Sequence, residues 1–235
     1  MSLDLIQQAK KAAALEAVKH VKDNFVVGLG SGTTVAFAIE ALGEKVKKEH
    51  LNILGIPSSY QAFQLAVQYG VPITTLDEHP VIDVTIDGAD QVTPDLHLIK
   101  GMGAALLREK IVAAASKLNI IIVDASKKVD VLGQNHQSVP VEVLPFALAL
   151  VKRKIVEAGG KPAVREGKGK LGAIITDNGN VILDVDFGEI ADPEELEAKI
   201  KLIPGVIETG LFNNLTDIVY VATAKTTEKI VHKRT

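Results

Sequence analysis

The chain has 235 residues, of which 47% are hydrophobic but only 4% aromatic, and a formal net charge of -3 at pH 7. Such a length buries roughly 70 to 75% of the unfolded surface, and with so few aromatics the core must be Val, Ile, Leu and Ala, which suits parallel strands covered by helices. The charge balance excludes a general attraction to nucleic acid or anionic membrane, and zero cysteines exclude disulfides, thiol nucleophiles, iron-sulfur clusters and cysteine-ligated zinc.

The six histidines, His20, His50, His79, His97, His136 and His232, show no HxH or HExxH spacing, so surface or incidental roles are expected and no metal site. The amino terminus, MSLDLIQQAKK, lacks a basic-then-apolar signal layout, and no apolar run approaches membrane-spanning length. These features lead us to expect a soluble cytoplasmic protein.

From Leu5 to Lys22, Ile6, Ala9, Ala13, Ala17 and Val21 recur at helical spacing. Lys10 falls on that apolar side, either as a lysine snorkelling at the edge of the stripe or as a cation facing a phosphate. Phe25 to Leu29 is a short apolar strand that enters Gly28-Leu29-Gly30-Ser31-Gly32-Thr33-Thr34, and a helical pattern follows from Val35 to Lys48. A strand, glycine loop and helix in this order favour an anion through loop amides and the positive helix end, with hydroxyls from Ser31, Thr33 and Thr34. Thr33 stands where a dinucleotide fingerprint has its third glycine, and no Walker GKS or GKT is present. A glycine turn made for geometry alone stays open.

Leu51 to Ile56 is a second strand, Tyr60 to Tyr69 a helix, and Ile73 to Leu76 a short apolar run. A buried strand, Val81 to Ile86, then ends in Asp87-Gly88-Ala89-Asp90, which puts two carboxylates at the edge where open α/β sheets bind ligands. A further apolar run delivers Lys100 into Gly101-Met102-Gly103, where the backbone can approach a ligand closely, and AALLREK begins a helix carrying Glu109 and extending to about Lys117. Asn119 to Val123 is a buried strand ending in Asp124-Ala125-Ser126-Lys127. The alternation of strands and helices predicts an α/β fold: a Rossmann-like, mostly parallel sheet with flanking helices.

Beyond Leu132 the pattern changes. A polar linker leads to a strand at Val139 to Leu144, a helix starting near Pro145, an Asn-Gly hairpin within Ile174 to Leu183, and a helix capped by Asp192-Pro193. The spacing predicts a smaller α+β domain with an antiparallel sheet at 133–207, inserted into a main domain of 1–132 and 208–235. Ile218 to Ala222 would rejoin the main sheet.

The loop, the acids, Lys100 and Glu109 suit proton transfer beside a carbonyl: a glutamate removes the proton and fixed donors stabilise the enediolate. Glu109 is the candidate base, and Lys100 with the Gly101–Gly103 amides the oxygen-stabilising side. Asp87 and Asp90 would orient sugar hydroxyls or shuttle protons, and Lys10 and Lys127 would neutralise a phosphate. Ordinary roles stay open as well: Glu109 on a solvated Arg-Glu-Lys face, the aspartates as turn formers, or the acidic pair on magnesium, for which the ligand spacing is poor.

The blocks GLGSGTT at 28–34, DGAD at 87–90, LIKGMGAALLREKI at 98–111, DASK at 124–127, VPVEVLP at 139–145, ITDNGNVILDV at 175–185 and IPGVIETGLF at 203–212 resemble ribose-5-phosphate isomerase of the A type. The resemblance implies cofactor-free interconversion of D-ribose 5-phosphate and D-ribulose 5-phosphate through an enediolate, in the non-oxidative pentose phosphate pathway, by a homodimer or homotetramer. It makes Glu109 the base and Lys10, Ser31, Gly32, Thr33, Thr34 and Lys127 the phosphate contacts. It puts Asp87, Gly88, Ala89 and Asp90 around the sugar hydroxyls, with Asp87 assisting ring opening, and Lys100, Gly101, Met102 and Gly103 at the remaining substrate turn. Three residues depart from the common pattern: Met102 where KGGG is frequent, Gln91 for a glutamate, and Ser31 for a threonine. The competing readings are a sugar-phosphate sensor and a deaminase or lactonase of related fold.

Overall fold

The computed structural model describes residues 3–167, 169 and 171–231; His232 lies outside them. The chain divides into two compact units, one of Met1–Ala89, Arg108–Lys128 and Asn214–Thr235, the other of Asp90–Leu107 and Val129–Asn213.

The first unit contains α1 (Leu3–Val18), β1 (Val26–Leu29), α2 (Thr33–Glu49), β2 (Leu54–Pro57), α3 (Tyr60–Tyr69), β3 (Val84–Asp87), β6 (Asn119–Asp124), β12 (Ile218–Ala222) and β13 (Thr227–Val231). These strands form one sheet in the order β13-β12-β6-β3-β1-β2. All neighbours are parallel except β13, which runs antiparallel at the edge. Its core is aliphatic, with Ala9, Ala13 and Ala17 of α1 packed in one cluster with Val27, Ile86, Ile120 and Ile122. The small residues of α1 let that helix lie close against the sheet.

The second unit contains β4 (Gln91–Val92), β5 (Leu98–Ile99), β7 (Val139–Val143), α5 (Leu148–Glu157), β8 (Lys161–Val164), β9 (Val181–Asp186), α6 (Pro193–Lys201), β10 (Val206–Thr209) and β11 (Leu211–Phe212). Four strands form an antiparallel sheet in the order β10-β7-β9-β8. Strand periodicity turns Val141, Val143, Leu183 and Val185 toward Val151 and Ile155 of α5 and Ile200 of α6. A helix α4 (Leu106–Ala114) starts in the residue range of this unit and continues in that of the first.

Several sequence expectations change. The second unit takes in residues 90–107, because β4, β5 and β11 pair as a small sheet of their own and the Lys100 N–H donates to the Gly210 carbonyl at 2.8 Å. Residues 73–76 form no strand beyond a bridge from Ile73 to Gly55. The Asn-Gly turn is present, with Gly179 at φ +80°, but it joins no regular hairpin; only a bridge links Ile175 to Val181. Buried Glu142 holds that segment instead, accepting from Thr176 Oγ1 at 2.9 Å, Asn178 Nδ2 at 3.1 Å and Asn180 Nδ2 at 2.9 Å.

Candidate functional site

In the first unit the chain passes from β1 to β2 on one side and then returns to place β3 on the other side of β1. This makes the carboxyl end between β1 and β3 a topological switch point, where such sheets bind ligands. Asp87, the last residue of β3, is 3% exposed. Its Oδ1 accepts from the Ser31 N–H at 3.2 Å and the Gly88 N–H at 2.7 Å. Gly30 permits this approach, since a Cβ there would lie 2.1 Å from Asp87 Oδ1.

The glycine loop is tied down by protein groups as well, at the Ser31 and Gly32 amides and the Ser31 hydroxyl. The Gly32 N–H donates to Gln61 Oε1 at 3.0 Å, and Ser31 Oγ bonds with Ser58 Oγ at 2.9 Å and Ser59 Oγ at 2.6 Å. The first amides of α2, at Thr33 and Thr34, have no intrahelical acceptor, as at any helix start. Lys10 Nζ donates to Thr33 Oγ1 at 2.8 Å, so α1 delivers a cation to the first residue of α2. Lys127 sits partly buried in a turn of 3₁₀ helix directly after β6, at the same carboxyl edge of the sheet.

Glu109 lies in the first turn of α4 and is 5% exposed. It is thus not on a solvated helix face. Val112 packs with Ile56 and Ile82 and close over Gly28, where a Cβ would meet Val112 Cγ1 at 2.6 Å. Glu109, three residues earlier, shares that face one turn nearer the helix start.

The second unit holds the remaining predicted residues. Lys100 is 3% exposed, with its ammonium 5.3 Å from the centre of the Phe212 ring, within reach of a cation-π attraction. Asp90 Oδ2 accepts from the Met102 N–H at 3.1 Å, and the Ala104 N–H closes the turn on the Gly101 carbonyl at 3.0 Å. Met102 exposes about half its surface, 49%. Gln91 is no surface neighbour of the acids but a buried clamp: its Oε1 accepts from the Gly133 N–H and its Nε2 donates to the Gln134 carbonyl, both at 2.8 Å. A glutamate would lose the second bond.

Sequence reasoning missed Ser58, Ser59 and Gln61, although Ser58 and Ser59 follow β2 at the same carboxyl edge and that rule alone could have marked them. Among the described residues, His20 hydrogen-bonds with Tyr220, His79 with Thr74, His97 with Asn213 and His136 with Asp186. Burial, followed by the charge of Lys229, lowers the pKa of His20.

A parallel sheet with a hydroxyl-lined loop, two lysines and a buried acid at its switch point defines the class: an α/β protein equipped for small phosphorylated ligands. A family model described as ribose 5-phosphate isomerase A (phosphoriboisomerase A) matches residues 54–226. Ribose-5-phosphate isomerase A of Thermosynechococcus vestitus is 49% identical over 222 residues, 94% of this chain and 94% of its own. That of Pyrococcus horikoshii is 45% identical over 226 residues, 96% of this chain and 98% of its own. Among solved structures, ribose 5-phosphate isomerase A of Methanocaldococcus jannaschii has a TM-score of 0.91 at 45% identity, covering 95% of this chain and 98% of that one. A D-ribose-5-phosphate isomerase in complex with phospho-erythronic acid has a TM-score of 0.94 at 43% identity, covering 99% and 100%. The chain belongs to the ribose 5-phosphate isomerase A family.

Proposed function

We infer that the chain interconverts D-ribose 5-phosphate and D-ribulose 5-phosphate, a reading supported by relatives named ribose-5-phosphate isomerase A. The reaction moves a proton between adjacent carbons through an enediolate, and each step needs a group of suitable kind. Glu109 takes the proton from the carbon beside the carbonyl and returns it to the neighbouring carbon. Asp87 assists ring opening, and with Gly88, Ala89 and Asp90 it orients the sugar hydroxyls. Lys100, with the turn of Gly101, Met102 and Gly103, stabilises the developing oxygen charge. Lys10, Ser31, Gly32, Thr33, Thr34 and Lys127 bind the phosphate.

The observation that carries these roles is the bonding at the switch point, where Asp87 holds the Ser31 amide and Lys10 reaches Thr33. Catalysis by carboxylates, amines and amides asks for no cofactor. A cytoplasmic enzyme of the non-oxidative pentose phosphate pathway, working as a homodimer or homotetramer, completes the proposal; among the described residues no helix is long and apolar enough to cross a membrane. Phe146 at 97% and Leu202 at 83% exposure are the kind of apolar surface that self-association covers. Light scattering tests the assembly.

The decisive experiment is turnover of ribose 5-phosphate by the purified protein in chelator, with unphosphorylated ribose as control. Rapid conversion of the phosphorylated sugar alone is expected. Binding without turnover would move the reading to a sensor, and turnover of an amino-sugar phosphate or a lactone instead would move it to another enzyme class.

A further inference from the structure

The turn after Lys100 is held in a conformation its own sequence does not favour. Gly101 has φ +104°, and Ala104, which carries a Cβ, has φ +60°, a region L side chains rarely enter. Such residues persist where the surroundings over-determine them, and they gather at functional sites. Within the second unit, Asp90 holds one N–H of this turn and Arg165 holds two of its carbonyls.

Arg165 follows β8, and its N–H donates to the Ile182 carbonyl at 2.9 Å. Ile182 is in turn the β9 partner of Glu142 on β7. Register therefore turns Arg165 to the sheet face opposite the one covered by α5 and α6. The side chain is 9% exposed. Its Nε and Nη2 donate to the two carboxylate oxygens of Asp184, a bidentate pair that fixes the guanidinium plane. Its Nη1 then donates to the Gly101 carbonyl at 2.8 Å and the Met102 carbonyl at 3.0 Å.

Those two carbonyls belong to successive peptide groups. A trans peptide is planar, so gripping a carbonyl aims the following N–H in the opposite direction. The Met102 N–H thereby meets Asp90, and the direction of the Gly103 N–H is set by the same grip. A positive charge at the carbonyl end also polarises each peptide and makes its N–H a better donor. Lysine, a single compact charge, cannot satisfy both Asp184 oxygens and both carbonyls.

We propose that Arg165, oriented by Asp184, is a positioning residue for the isomerisation, presetting the Gly101–Met102–Gly103 turn so that its Gly103 amide stabilises the enediolate oxygen while the Met102 amide is held by Asp90. It acts through the turn and does not touch substrate. The inference rests on assigning that turn to the sugar, so the test includes Lys100→Ala as a separate probe of the assignment.

Arg165→Met and Arg165→Lys are assayed with ribose 5-phosphate, while calorimetric titration with phospho-erythronic acid counts competent sites. Turnover per competent site is expected to fall by about tenfold to a hundredfold, with KM within about threefold of wild type. A purely structural role would instead reduce the number of competent sites and leave turnover at each one unchanged, which overturns the proposal. Should Arg165→Met fail to fold, Asp184→Asn leaves the guanidinium but frees its plane, and about a threefold or greater loss of turnover is expected. Normal turnover in that variant and in Arg165→Lys would also overturn the idea. A wild-type KM and kcat in Lys100→Ala would remove the turn from the sugar and the proposal with it, whereas a defect there beside a normal Arg165→Met would sink the role of Arg165 alone.

Discussion

The loop at residues 30–34 and the turn at residues 101–104 both depend on glycine and both are held by a buried charged side chain, yet the charges are opposite and grip opposite ends of the peptide. Asp87 takes the Ser31 N–H from the loop; Arg165 takes two carbonyls from the turn. An acid that occupies amides leaves hydroxyls, Lys10 and the start of α2 to meet a ligand, which suits a phosphate whose charge is constant. A cation that donates to carbonyls fixes the direction of the Gly103 amide, which in the proposed reaction suits an oxygen whose charge grows. The comparison teaches that a glycine-rich segment should be read together with the side chain anchoring it.

The largest expected effect comes from removing the group proposed as the proton carrier. Glu109→Gln keeps the shape and is expected to lower kcat by about 10² to 10⁴-fold with little change in KM; near-normal turnover would end the assignment. Gly30→Ala attacks the loop's anchor, because its Cβ would lie 2.7 Å from the Asp87 Cα as well as against the carboxylate. Thermal or denaturant unfolding should register a loss of about 1 to 3 kcal/mol. Lys127→Ala should leave kcat near wild type and raise KM for the phosphorylated sugar by about tenfold, roughly 1.4 kcal/mol; an unchanged KM would remove Lys127 from the phosphate site.

The smallest effect lies at the other end of the same strands. Asp83 accepts from the Val26 N–H at 2.9 Å and pairs with Lys117 at 2.8 Å. Burial pushes its carboxyl up, but the Lys117 and Val26 hydrogen bonds and the Lys117 charge together hold it below the usual carboxylate range. A folded-state value below the unfolded one adds stability above about pH 4, which is lost as pH falls through the folded value. The stability difference between wild type and Asp83→Asn should therefore shrink on acidification below about pH 4, in equilibrium unfolding followed against pH. A difference that stays constant would show that the carboxylate's charge contributes nothing.

The main sheet was legible because its strands are buried on both faces and read as continuous apolar runs between helical patterns, as Asn119 to Val123 does. The second unit was harder. Its strand β8 opens Lys161-Pro162 and is alternately exposed, and β13 is mostly polar; both are edge strands, where water on one side erases the apolar signal. Strands β4 and β5 have two residues each, too few for any period. Glu109, Asp87 and the loop announced themselves through residue type at strand and helix ends. Arg165 did not, because an arginine among Glu166, Lys168 and Lys170 looks like solvated charge, and its role depends on cross-strand register that only folding reveals.

The parallel pairing of β12 with β6, Ile218 beside Ile120, has a consequence for the order of folding. The two strands are neighbours in space but about 100 residues apart in the chain, and nearly all of the intervening segment belongs to the second unit. Closing so long a loop from a disordered chain carries a large entropic penalty, whereas a segment already collapsed brings its ends within reach. The second unit should thus acquire protection before the main sheet is complete, with β12 docking afterward and β13 last at the edge. Pulse-labelling hydrogen exchange would read that sequence directly, as amides of β7 and β9 protected ahead of those in β12; the reverse order would mean that the sheet recruits its distant strand without help from the segment between.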